Sequence, residues 1–382
     1  MYCAGYAVYN VYFHPLRKFP GPKLWHTTFL FRHFAAMQGD LDWQLAAFHT
    51  KYGEVVRYSP EELSFTKEEA WKDIYGHRAN PLVKDPVVYN SVKLDGDAAT
   101  SIFNANHTDH ARIRKQLGHA FSEKALREQE PGVQAWVDIL MAKLRGIAAS
   151  QMPTDMVKWL NFTTFDLIGD MALGKSFGCL QDNEYHSWVR GLQEGTKIGP
   201  YIRTVATYTD VKRLWRVLAP ASVKAARNRH ESYVRTNATE RLSKGVLMER
   251  RDFMSYILKG RDSKDGNGIT DKEVAANAGF LIIAGSEAAG TAMSGILFHL
   301  LKKPSTMEKM KKEVREAYLK ESDIDFTTTA FKIPYTVACI SEGMRAFPPG
   351  PTIPPRRTPK GCMTTIAGYE VPGWVGTTFL IY

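Results

Sequence analysis

From Val274 to Leu301 the chain carries one formally charged side chain, Glu287. Thr270-Asp271-Lys272-Glu273 precedes this run as a capping box, a threonine hydroxyl with a glutamate three residues on. Pro304 stops the helix that follows at about Lys303. A helix this long and apolar either crosses a bilayer or runs through the middle of a folded domain. Asn277, Ser286, Glu287 and the glycines Gly279, Gly285, Gly290 and Gly295 are too polar and too cleft-like for lipid. The expectation is therefore a buried central helix, apolar all round. In its middle, AGSEAAG lets a flat ligand or another backbone approach closely. A lone acid there is either a satisfied core residue or a proton relay.

Around this helix the pattern is mostly helical, with apolar residues at spacings of three and four. Helices are expected over 40–52, 67–76, 108–127 (capped by Thr108 or Asp109), 130–149 and 155–173. More charged surface helices follow over 182–196 and 208–259, then a loop over 261–268. Ser305 and Glu308 suggest a second capping box for a helix over 305–320, and another helix over about 334–346 ends at Pro348-Pro349. After Pro355, Gly- and Thr-punctuated strand patterns occupy 362–371 and 375–382. There is no internal repeat and no domain-scale linker. The fold class is mainly α with a small β region, in one domain.

At 382 residues, with 44% hydrophobic and 24% charged, the chain is long enough for a sizeable core, and the balance excludes disordered and low-complexity classes. The net charge of +10 suits an anionic membrane, nucleic acid or acidic protein partner without choosing among them. Cys3, Cys179, Cys339 and Cys362 are scattered, which argues against a disulfide framework or zinc ribbon. Sequons at Asn106, Asn161 and Asn237 have no signal peptide before them and read as chance. Residues 1–13, MYCAGYAVYNVYF, are apolar but too short to span a bilayer. They read as the end of an anchor or as a packed N-terminus. Pro15, Pro20 and Pro22 then interrupt any helix, and Arg17, Lys18 and Lys23 suit a membrane-surface hinge.

Three constellations carry chemistry. Glu342 and Arg345 stand at i, i+3 in ISEGMRAFPP, with apolar flanks that suggest a partly buried ion pair. His110 and Arg114 share a helix face at i, i+4, and with Arg112 and Lys115 offer a grip on an anion such as a carboxylate. Arg356 and Arg357, after Pro354-Pro355, offer a second anion grip. His107 and His110 have no partner at metal-ligand spacing. No nucleophile elbow, Walker loop, dinucleotide fingerprint or nucleic-acid module is present.

Taken in order, these motifs resemble a cytochrome P-450, a haem-thiolate monooxygenase of the fungal microsomal kind. YNVYFHPLRKFPGPKLW resembles the family's anchor-to-domain hinge, DHARIRKQLGHAFSEKAL its C helix, and FDLIGDMALGKSFGCL its E-helix region. AGSEAAGT resembles the oxygen-activating stretch of the I helix, KIPYTVACISEGMRAFPP the K helix with E-x-x-R, and PPRRTPKGCMTTIAGYEVPG the strands that follow. The subgroup is similar to fungal secondary-metabolite enzymes related to trichothecene hydroxylases.

The resemblance implies haem b as cofactor, with His110 and Arg114 on one propionate and Arg356 on the other. It implies Glu287 over the distal face as proton donor and Glu342–Arg345 as a structural pair. The partners would be NADPH-cytochrome P-450 reductase and a small hydrophobic substrate, with membrane-surface contact and no nucleic acid. The reaction would be hydroxylation or epoxidation with dioxygen, at the cytosolic face of the endoplasmic reticulum membrane. Residues 1–23 would be an anchor remnant and Pro-rich hinge, and 24–382 the catalytic domain.

Two departures qualify this. Ala288 stands where the family usually has a Thr after the acid, and the next hydroxyl is Thr291. The family also continues beyond the position of Tyr382 with a meander, a haem-Cys loop and an L helix, so no axial metal ligand is expected among these four cysteines. A chain lacking those parts is expected to leave apolar surface bare, as an aggregation or partner site, and to be poorly soluble. The alternative to a monooxygenase is an inactive remnant or a ligand- or partner-binding protein.

Overall fold

The computed structural model describes residues 2–90, 99–208, 221–243, 252–259 and 268–381. The loop expected over 261–268, apart from its last residue, and part of the helix expected over 208–259 lie outside them. The chain forms two compact units. The first joins Met1–Ala98, Gly195–Ala219 and Gly350–Tyr382; the second joins Ala99–Glu194 and Pro220–Pro349.

The first unit is built on a five-stranded sheet. Its strands are β1 (Val55–Ser59), β2 (Glu62–Phe65), β3 (Val83–Lys84), β4 (Arg356–Arg357) and β7 (Gly376–Phe379), in the order β1-β2-β7-β4-β3. β2 and β7 pair in parallel, with Glu62 opposite Gly376 and Phe65 opposite Phe379. β5 (Thr364–Ile366) and β6 (Tyr369–Val371) form a separate hairpin. Its turn residues Ala367 and Gly368 both have positive φ, 48° and 83°. That handedness matches the twist of a two-residue hairpin and suits Gly far better than Ala.

Helices α1 (Tyr2–Val8), α2 (Lys23–Thr27), α3 (Leu30–Gln38), α4 (Leu41–Tyr52), α5 (Glu68–Tyr75) and the short α6 (Pro86–Tyr89) complete this part of the chain. The prolines of residues 15–22 permit a 3-10 turn at Pro15–Lys18 and a new start at Lys23, rather than excluding helix altogether. The N-terminal stretch is tied down at Asn10, which is buried. Asn10 Nδ2 donates to the Thr27 carbonyl at 3.1 Å, and its own carbonyl accepts from Arg57 Nη1 at 2.9 Å. Leu16 and Phe19 enter the core with Val55, Leu63 and Phe65. Tyr2, Tyr12 and Phe13 stay exposed.

In the second unit, α7 (His107–Gly118) is capped by Asn106, whose Oδ1 accepts the Asp109 amide at 2.8 Å. The cap is therefore neither Thr108 nor Asp109. A 3-10 turn at His119–Phe121 ends that segment. α8 (Glu123–Ser150) then starts from the Ser122 cap and continues through Pro131. The break thus falls eight or so residues before its expected place, because a serine cap starts a helix where composition alone shows no boundary.

α9 (Met156–Leu173), α10 (Cys179–Asp182), α11 (Ser187–Thr207, whose later part belongs to the first unit), α12 (Ala221–Ser243) and α13 (Phe253–Lys259) follow. Then come α14 (Asp271–Lys302), α15 (Pro304–Ala317), α16 (Phe326–Lys332) and α17 (Pro334–Ala346). α15 begins on Pro304 with no side-chain cap, so Ser305 and Glu308 form no capping box; Glu308 pairs with Lys311 at 2.8 Å instead.

α14 carries the full capping box expected of Thr270 and Glu273. It packs on α9 through its small residues. A methyl at Gly290 would overlap Asn161 Oδ1, and one at Gly285 would lie 2.9 Å from Ile168 Cδ1. Val274, Ala278 and Ile282 join Phe162, Phe165 and Ile168 in the core of this unit.

Two outcomes follow. Gly290→Val overpacks the α14–α9 contact and is expected to cost about 1–3 kcal/mol in urea unfolding; an unchanged midpoint would disprove the close approach. Second, three histidines of the first unit are held neutral. His14 and His26 are pushed down to about 4 by burial and then by the Arg57 charge, and His33 to about 3 by burial and then by Arg32. Their folded pKa lies below the unfolded value near 6.5, so the unfolded chain takes up protons first as pH falls. The stability they contribute is complete above about pH 6.5 and is lost towards pH 4–3. Thermal unfolding across that range is expected to show the midpoint falling, with a shallower fall in His33→Asn.

Candidate functional site

The start of α14 is fixed by α7. Arg112 Nη2 meets Glu273 Oε1 at 2.5 Å and Asp109 Oδ1 at 3.0 Å, while Nη1 donates to the Gly268 carbonyl at 2.8 Å. These bonds hold Glu273 ionised well below the usual carboxylate range. Arg112 is thus engaged by acids and is no part of an anion grip. One turn on, Asn277 Oδ1 accepts the Ile102 amide at 2.8 Å, and Phe103 stacks on Phe280 at 5.3 Å between ring centroids.

Past this anchored start, α14 is not buried all round. Ile282, Ser286 and Gly290 face the core, whereas Ala284, Ala288 and Ala289 are exposed. The cause is the side-chain distribution: the face turned to α9 holds the residues that pack, and Ala284 and Ala288 occupy the opposite face. The glycines of AGSEAAG serve helix contact, with Gly279 against Val234 and Gly295 against Phe347.

Glu287 is half-buried at the flank of the alanine face and makes no hydrogen bond or ion pair with any described residue. Burial alone pushes its carboxyl up from the ordinary value. Thr291 lies one turn further on the same flank, also half-buried. Ser286, adjacent in sequence, is buried, and its hydroxyl donates to the Ile282 carbonyl at 2.6 Å, so it is spent on its own helix.

On α7, His110 is half-buried and Arg114 exposed, four residues apart on one side. In the first unit, Arg356 lies with its guanidinium 5.3 Å from the Tyr89 ring centroid and 5.9 Å from that of Tyr75. Its Nε is buried without a hydrogen-bond partner among the described residues. Arg357 points the other way, as strand alternation requires. It is bound to Asp85 Oδ2 at 2.7 Å and to the Trp374 carbonyl at 3.0 Å. It is a buried structural cation, not the second half of an anion grip.

Glu342 and Arg345 make the expected pair, with Nε–Oε2 and Nη2–Oε1 both 2.7 Å. They are exposed, at 63% and 65%, and not partly buried as their flanks suggested. Ile340, Met344 and Phe347 are exposed as well, so the apolar flanks do not enclose the pair.

Of the four cysteines, Cys179 is buried and its thiol is pushed up to about 11 by burial. Cys3 and Cys362 are exposed, and Cys339 lies part-buried on α17. None sits on α7, α14 or β4. Among the described residues no group of three or more His, Cys, Asp and Glu side chains is arranged to hold a metal ion.

Sequence reasoning named Glu287, Ala288 and Thr291 on one helix, and the structure keeps them on one side of it. The two engagements it did not find are Arg112 with Glu273 and Arg357 with Asp85. Each joins residues distant in the chain, and the only sequence signal was the acid of the capping box.

Comparison with known proteins gives the family. The profile described as cytochrome P-450 matches residues 20–382. A trichothecene C-4 hydroxylase from Trichoderma arundinaceum is 43% identical over 364 residues, which cover 95% of this chain and 71% of the relative. Cytochrome P-450 monooxygenase olcB from Penicillium canescens is 39% identical, over 96% of this chain and 72% of the relative. Cytochrome P-450 monooxygenase efuB from Hormonema carpetanum is 37% identical, over 96% and 72%. With the profile spanning nearly all of its length and relatives of this closeness, the chain belongs to the cytochrome P-450 family of haem-dependent monooxygenases.

Proposed function

We propose that this chain hydroxylates or epoxidises a small hydrophobic fungal secondary metabolite, with electrons delivered by NADPH-cytochrome P-450 reductase. The observation that carries this reading is Glu287, a half-buried carboxyl with no partner among the described residues, beside an open alanine face and the one formal charge between Val274 and Leu301. The similarity to a trichothecene C-4 hydroxylase supports the substrate class.

Two groups of basic residues would suit haem carboxylates. Arg356 offers a buried Nε with no partner among the described residues, and Arg114 an exposed guanidinium one turn from His110. In this reading Arg356 holds one propionate and His110 with Arg114 the other, through charge-assisted hydrogen bonds. Haem, when bound, supplies the binding and cleavage of dioxygen.

The chain's own contribution is proton supply and exclusion of water. Desolvation keeps a proton on the Glu287 carboxyl nearer neutral pH than a surface glutamate would hold it. Ala284 and Ala288, four residues apart on one exposed face, give a flat apolar wall for a hydrophobic substrate. Ala288 provides no hydroxyl, so Thr291, one turn on, is the next group able to order a water beside Glu287. The exposed aromatics Tyr2, Tyr12 and Phe13, followed by Arg17, Lys18 and Lys23, support attachment at the endoplasmic reticulum surface. The net charge of +10 suits an acidic reductase face.

Glu287→Gln is expected to lower product formation by roughly 100-fold while haem content stays unchanged, the size of a lost general acid; unchanged turnover would remove Glu287 from the chemistry. Ala288→Thr is expected to lower the peroxide released per NADPH consumed, read with a peroxide assay, and no change would show that Thr291 already fills the role. Arg356→Ala and Arg114→Ala are each expected to weaken haem retention by about 10-fold or more, measured by haem transfer to an acceptor protein.

A further inference from the structure

Four side chains of α14 recur at i, i+4, i+7 and i+11: Phe280, Ala284, Glu287 and Thr291. At about 100° per residue they fall within roughly 60° of one another, so they form one stripe along the second unit's central helix. Phe280 is half-buried and stacks on Phe103, with 5.3 Å between ring centroids and 24° between the planes. Ala284, one turn on, is exposed. Glu287 is half-buried, and burial is the one influence that moves its carboxyl, upwards from the ordinary value. Thr291 follows, half-buried as well.

This stripe is a notch. Its floor is the methyl group of Ala284, one wall is the Phe280–Phe103 pair, and the other wall is a carboxylic acid. Side chains on a helix lean towards its N-terminus, so Glu287 leans over Ala284 in the direction of Phe280. Phe280 leans the same way, and the spacing between the two walls is kept. Seven residues separate them, a rise of about 10 Å. That length suits a compact fused-ring body and is short for an extended alkyl chain.

We propose that the substrate is a compact fused-ring hydrophobe that already carries a hydroxyl group, with its rings on Ala284, its far edge on Phe280, and its hydroxyl bonded to the Glu287 carboxyl. This rests on the reading of Glu287 and its alanine face as the substrate side of α14, and it makes Glu287 and Phe280 the residues that select the substrate. A plain hydrocarbon in the notch would cover the carboxyl and leave it without a partner, which disfavours that ligand. A hydroxyl both donates and accepts, so it serves the acid in either protonation state. An ammonium group would need the ionised carboxylate, and burial opposes that form. The hydroxyl is in place before this chain acts, so a hydroxylation or a carbonyl reduction supplies its substrate.

The test needs neither haem nor turnover. The fused-ring probes 2-naphthol and naphthalene are titrated with the purified full chain, and binding is read from their fluorescence. 2-Naphthol is expected to bind about 10-fold more tightly or better, the effect of one added hydrogen bond to a half-buried acid. This wild-type comparison needs no variant. Glu287→Leu is expected to abolish the preference while keeping naphthalene binding, and Phe280→Ala to weaken both probes by a similar factor, each variant checked for folding by circular dichroism. Equal affinities for the two probes, binding of neither, or a preference that survives Glu287→Leu would each overturn the proposal. Failure of the reaction itself looks different. Product formation that falls in Glu287→Gln without any hydroxyl preference keeps the acid in the chemistry and removes this substrate class, whereas a hydroxyl preference in a chain that forms no product supports the notch and removes the reaction.

Discussion

The second unit depends on how closely α14 approaches α9. A side chain larger than hydrogen at Gly290 would meet Asn161, and one at Gly285 would meet Ile168. Because those two positions are bare, the helices sit near enough for Ile282 and Ala278 to share a core with Phe162 and Phe165. That contact also sets the rotation of α14 about its axis. With Ser286 and Gly290 turned inward, the 3.6-residue period turns Ala284 and Ala288 outward and leaves Glu287 and Thr291 at the flank. The acid's half-buried setting is a by-product of where the glycines are.

The Arg112–Glu273 bridge adds the other coordinate. A capping box satisfies the first turn of a helix but says nothing about where that helix lies. Here the same glutamate is shared by its own Thr270 and by an arginine from α7, so the cap is also a tether. Rotation and position of α14 are thus set by separate residues.

Much of this was legible in the sequence. The box, the apolar run and Pro304 mark α14 to within a residue or so, and α9, α15 and α17 follow from their periodicity. What escaped has a common physical cause: it depends on pairing between distant segments. β1 and β2 contain Arg57 and Glu62, which look like surface residues until their partners Asn10 and Arg32 are in place. Arg356 and Arg357 read alike as neighbours in the chain, yet the pleat sends one towards two tyrosine rings and the other to Asp85. The Glu342–Arg345 geometry was correct from spacing alone, but spacing on one helix does not say what covers it.

The parallel pairing of β2 with β7 has a consequence for how the polypeptide is made. Glu62 finds its partner at Gly376, so the middle of the sheet joins two strands between which the whole second unit is synthesised. On a ribosome, the strand Glu62–Phe65 emerges and waits while the helices of the second unit are synthesised and begin to pack on local contacts. Its antiparallel neighbour β1 covers one edge during that time, leaving the other edge open until Gly376–Phe379 arrives. The sheet of the first unit is thus begun before the second unit is made and joined at its middle only after it, and the strand edge left open meanwhile needs protection.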